Sequence, residues 1–137
     1  MHKYQVGAMS DDVAKFLLRA TLAILILFHG VSKIMGGIGP ITGMVAKVGM
    51  PPALGYLVFI GEVLAPLLVL VGAWTRPAAL IIAINMVVAV LLAHTTQFFS
   101  VAKTGGWALE LQAMYFIAAI CVMLQGGGRF GVGGKWN

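Results

Sequence analysis

The sequence predicts an all-α fold, an integral membrane antiparallel four-helix bundle, on three observations. Of 137 residues, 61% are hydrophobic and 9% charged, against about 25% charged in an ordinary soluble domain. Four apolar stretches approach or exceed the roughly 20 residues that carry a helix across a hydrocarbon core. Between the second and third lies only "TRP", Thr75 to Pro77, a connection short enough to force a hairpin of helices. The whole chain, 1–137, reads as one transmembrane domain.

The first span is expected over about 13–35, with Asp11 and Asp12 at its start, where acidic groups suit the positive end of a helix. The following loop contains "PITGMVAKVGMPP", with apolar Ile41, Met44, Val45 and Val48. That pattern fits a short helix lying in the interface or a re-entrant segment. Pro51 and Pro52 open the second span, because proline is tolerated in a first helical turn; it is expected over about 53–74. The third follows over 77–99 and the fourth over 107–125. The tail 126–137, "GGGRFGVGGKWN", is Gly-rich and expected to be flexible. It is no phosphate loop, since no strand precedes it and no helix follows. Trp74, Trp107 and Trp136 fall near span ends, where aromatic belts sit.

The net charge of +5 comes from nine scattered Lys and Arg. They form no basic stripe, so nucleic acid is not an expected partner; the lipid bilayer is. The side that carries both termini and the tight turn holds Lys3, Lys15, Arg76, Arg129 and Lys135, with Arg19 one turn inside. The opposite side holds Lys33, Lys47 and Lys103. That asymmetry predicts a multi-pass protein of a bacterial-type inner membrane with N- and C-termini in the cytoplasm. Arg19 is expected to snorkel to the headgroups and Lys33 to anchor a helix end. Residues 1–12 are polar, and no cleavable leader is expected. Cys121 is the single cysteine, which excludes an internal disulfide and intramolecular dithiol chemistry.

The candidate site is read from polar residues that interrupt the spans. In "FIGEVLAPLLVL" a carboxylate, Glu62, stands in an apolar run, and Pro66 follows four residues later. Glu62 lies about 14 Å into its span at a rise of ~1.5 Å per residue. Proline displaces the hydrogen bond that would end on the Glu62 carbonyl, so a kink is expected there. Asn85 enters from the other side to a similar depth. His29, His94 and Glu110 form a second layer nearer the opposite surface. Ionisable groups within a membrane are rare and mostly face a bundle interior or a cavity. The structural alternative is that Glu62 bonds to Asn85 or a hydroxyl and only fixes helix packing. Asn85 and His94 are nine residues apart, about half a turn around the helix, so they cannot both face the bundle centre.

Read in order, "LLRATLAILILFHGVSKIMG", "GEVLAPLLVLVGAWTRPAAL", His94, Glu110 and "GGGRF" resemble the DoxX family, over roughly residues 14–131. The resemblance implies a small four-helix membrane protein associated with quinone-linked oxidoreductase systems, including thiosulfate:quinone oxidoreductase, and with oxidative-stress complexes. The family's usual ending resembles "GPGRxSLD"; here the Pro and the Asp are missing and Arg129 remains. On this reading Glu62, His29, His94, Glu110 and Asn85 hold a quinone headgroup, with redox subunits as partners. Neither an intrinsic cofactor nor a metal is expected; quinone is the expected bound substrate. Three alternatives stay open: a non-catalytic anchor or assembly subunit, a haem or metal site on His29, His94 and Glu110, and a proton or small-solute pathway; a homo-oligomer is compatible with each.

Overall fold

The computed structural model describes residues 3–93, 99–101, 103, 105–133 and 137. His94, Lys135 and Trp136 lie outside the described residues. The architecture is all-helical. Helix α1 spans Lys3–Gly36 and stops where Gly37 turns the chain at φ 92°. A short helix, α2, Gly39–Lys47, carries proline in its first turn, and Gly49 (φ 86°) closes it. This is the short helix expected between the first two spans.

The second span is composite. It opens as a 3₁₀ segment, Pro52–Leu57, widens into a π turn, Ile60–Leu64, and continues as α3, Ala65–Val71. The π turn is the form the expected kink takes. Pro66 has no N–H to donate, and the chain accommodates it by a wider turn in which the Ala65 N–H reaches back to the Ile60 carbonyl. Gly72 ends α3 in the left-handed region (φ 74°), its N–H on the Leu68 and Val69 carbonyls. Helix α4, Thr75–Ala93, follows at once. Helix α5, Glu110–Gln125, begins three residues later than the aromatic boundary at Trp107 suggests, because the Glu110 N–H closes a turn onto the Trp107 carbonyl.

Met9–Gly36, Pro52–Val71 and Thr75–Leu92 are long and apolar enough to cross a membrane, and Glu110–Gln125 is a shorter apolar helix. Helix α1 packs on α3 and α5, and α4 packs on α3 and α5. Small side chains dominate the contacts: Ala23, Ala65, Ala78, Ala79, Ala83 and Ala119 are buried together with Leu22, Ile26, Val69 and Ile82. Where both faces are apolar, small residues let helices approach closely enough for dispersion contacts to hold them. Large apolar side chains such as Phe28, Leu91 and Met114 point outward, as lipid contact requires.

Arg19 departs from expectation. It is fully buried rather than snorkelling. Its Nη1 donates to the Val69 and Leu70 carbonyls at 2.8 and 2.6 Å, its Nε to Gly127 O at 2.8 Å, and its Nη2 to Phe130 O at 2.9 Å. Val69 and Leu70 lie in the last turn of α3, where carbonyls lack their usual i+4 donors and carry the negative end of the helix dipole. The guanidinium therefore joins the end of α3 to the Gly-rich tail. The tail, expected to be flexible, is bonded through its described residues: the Val132 and Gly133 N–H groups donate to the Val71 and Gly72 carbonyls, and that of Gly127 to Asn137 O. Gly72 is needed twice, for its φ and because a Cβ there would run into Gly131 and lie 3.2 Å from the Arg19 guanidinium carbon. Arg76 does the same for α5, donating to Met123 O and Leu124 O at 3.2 and 2.9 Å.

Candidate functional site

The π turn sets two neighbouring residues, Gly61 and Glu62, on different faces. Glu62 faces α1, where its carboxylate accepts from the Lys33 ammonium. The Glu62 side chain is 5% exposed and that of Lys33 26%, so the pair is largely withdrawn from solvent. A lone carboxylate at this depth would cost several kcal/mol, and the ion pair removes most of that cost. Lys33 thus acts as the counter-ion of Glu62, not as an interface anchor; neither Asn85 nor a hydroxyl fills that role.

Gly30 explains how the two helices come close enough. A Cβ at position 30 would collide with the Glu62 carbonyl oxygen and lie 2.8 Å from Val63 Cγ2. That carbonyl is the one Pro66 leaves without its helical donor, and α1 closes over it at its only glycine in this turn. Gly30 and Lys33 are three residues apart and share one helix face. One supplies the space, the other the charge.

Gly61 faces the other way, toward α4. A Cβ there would stand 2.6 Å from Asn85 Cβ and Cγ, so the glycine makes room for the amide. Asn85 Nδ2 is buried, and no group among the described residues accepts a hydrogen bond from it. Asn85 and Gly61 line a cavity of about 470 Å³, walled by Ile41 and Val45 of α2, Leu54 and Val58 of the 3₁₀ segment and its exit, and Ile84 and Val88 of α4. A second, smaller cavity of about 240 Å³ lies between α4 and α5, beside Trp107, Leu109 and Gln112.

Among the described residues, His29 and Glu110 of the expected second layer make no hydrogen bond to Glu62. His29 is exposed and stacks edge-on against Tyr115 of α5, with ring centroids 5.9 Å apart. Glu110 is exposed at the start of α5, and its carboxyl group folds over Gly106, where a Cβ would meet its carbon at 2.8 Å. Neither forms an ion pair with Glu62. Among the described residues no three His, Cys, Asp or Glu side chains gather as a metal-ligand group. His94 lies outside the described residues, so the haem reading that pairs it with His29 is not addressed. Lys33 is the site residue that sequence reasoning missed. The signal was present in its spacing from Gly30, opposite a carboxylate that needed a partner.

Compared with known protein families, residues 14–95 match the one described as DoxX. No curated protein and no solved structure matches the chain.

Proposed function

The chain belongs to the DoxX family, and from that premise we propose that it is an inner-membrane subunit of a quinone-linked oxidoreductase system. In this reading it is an antiparallel four-helix bundle with both termini cytoplasmic. The packing of α1 and α4 each against α3 and α5 supports the bundle, and the Lys/Arg asymmetry supports the orientation. The observation that carries the functional part is the Glu62–Lys33 pair within the apolar spans. Buried acids and amines at such depth mark proton and substrate paths.

Reduction of a quinone takes up two electrons and two protons at its carbonyl oxygens. The electrons come from a partner redox subunit, because one cysteine provides no dithiol here. The protons need carriers inside the membrane. Glu62 and Lys33 are both able to hold and release one, at Oε2 and Nζ, and neutralise each other in between.

The test is the quinone-dependent electron transfer of membranes carrying the Glu62→Gln variant. The side chain keeps its size and hydrogen-bonding capacity but cannot ionise. Activity is expected to fall at least tenfold while the chain and its partners assemble at wild-type levels. Equal loss of assembly and activity would make the chain an anchor, a role its three-residue α3–α4 turn and scant extramembrane surface also suit. Unchanged activity would remove the pair from the mechanism.

A further inference from the structure

We infer that the cavity between α2, the Pro52–Leu64 turns and α4 is a binding site for a neutral, carbonyl-bearing apolar molecule held by Asn85. This rests on the quinone reading for its favoured ligand but on separate residues for its site. No described residue lining the cavity is charged, so a charged ligand would meet no counter-ion among them. The single amide is Asn85, whose Nδ2 is a buried donor without an acceptor among the described residues. A buried amide hydrogen left unpaired is costly, and a ligand carbonyl removes that cost. The ligand is therefore an acceptor. Its body is apolar, because Ile41, Val45, Leu54, Val58, Ile84 and Val88 form the walls. A volume of about 470 Å³ falls within the range of small-molecule pockets and admits one substituted ring or the glycerol-ester region of a lipid. Leu54, Ile84 and Val88 are also exposed on the outer surface, which gives a membrane-dissolved molecule a lateral way in.

Gly61 argues that the arrangement is built for the amide. Any larger residue would press on Asn85 Cγ, and Gly61 is adjacent to Glu62 in the same π turn. The turn that aims the carboxylate at Lys33 thus also clears space for the amide on its other side.

Two molecules share this chemistry: a quinone and the acyl ester of a glycerophospholipid. The experiment uses the full chain in nanodiscs of ether-linked phosphatidylcholine, which lacks ester carbonyls. Binding of a tritiated decyl-tailed benzoquinone is measured, and then binding of a tritiated ester-linked phosphatidylcholine. The wild type should bind one of them, and Asn85→Leu should raise its Kd at least tenfold, about 1.4 kcal/mol. Val88→Phe, which keeps the amide and fills the cavity, should do the same, and it decides the matter where Asn85→Leu does not fold. Quinone binding that both variants leave within twofold of wild type overturns the cavity assignment while the quinone reading stands. Ester-lipid binding that both variants weaken, with no quinone bound by the wild type, keeps the cavity and overturns the quinone reading. Binding of neither molecule overturns the inference.

Discussion

Arg19 and Glu62 are both charges buried in apolar helices, and they are neutralised in opposite ways. Arg19 meets four backbone carbonyls and no carboxylate. Its partners are fixed dipoles at a helix end and in the tail, and a guanidinium does not give up its proton in proteins. At that end of the molecule two arginines, Arg19 and Arg76, close two helix C-termini. Glu62 instead meets one side chain, Lys33, across an irregular turn beside a cavity. Both of those groups exchange protons in general, and both move on flexible stems. In the proposed reading, the charge held by backbone is architecture and the one held by a single ionisable partner carries chemistry.

The largest effect that separates the two regions is expected at Arg19. Arg19→Leu leaves the Leu70 and tail carbonyls without donors, and each buried acceptor left unpaired costs about 1–3 kcal/mol. Thermal unfolding in detergent should drop well below wild type, with the tail opened to protease. Arg19→Lys should recover little, since an ammonium lacks the planar fork that spans two segments. Unchanged melting for either would mean the clamp contributes nothing.

Gly30→Val comes next. The added Cβ collides with the Glu62 carbonyl, which is backbone and cannot step aside. Overpacking of this kind costs about 1–3 kcal/mol and should separate α1 from the π turn, so Lys33 and Glu62 lose each other. A double-mutant cycle at Lys33 and Glu62, run in the wild-type and Gly30→Val backgrounds, checks this: coupling of about 1–3 kcal/mol should shrink toward zero in the second. Equal coupling in both would show that Gly30 does not set the approach.

The smallest effect is expected at Arg76. It is exposed, and its two bonds cap the end of α5 from the surface. Arg76→Ala should cost about 0.5–1 kcal/mol, read as earlier hydrogen exchange in the last turn of α5 with no change at the π turn. A loss as large as that of Arg19→Leu would erase the distinction between a buried clamp and a surface cap.

How much of this was legible in the sequence follows the same division. The membrane class, the helix order, the need of Glu62 for a partner and the irregular turn at Pro66 could be read directly, because composition and the cost of a buried carboxylate are local properties. The spacing of Gly30 and Lys33 was also there, but its meaning required knowing which face of α1 meets Glu62. The Arg19 clamp was not readable. Its partners lie up to 111 positions away and are backbone carbonyls, which any residue supplies. The tail looked flexible for the same reason: glycine predicts freedom unless something distant binds its backbone. His29 and Glu110 share a depth with each other, but depth does not fix the angle around a helix axis, and the structure turns them toward Tyr115 and Gly106 instead of Glu62.

The most direct test of the central claim exchanges the pair, Glu62→Lys with Lys33→Glu. The swap keeps two opposite charges facing each other but moves the carboxylate from the π turn to α1. Melting temperature and quinone-dependent electron transfer are measured together on the same preparation. The account predicts melting within a few degrees of wild type and activity reduced at least tenfold. Wild-type melting with wild-type activity would contradict it, because the pair would then be architecture like Arg19 and not equipment for chemistry.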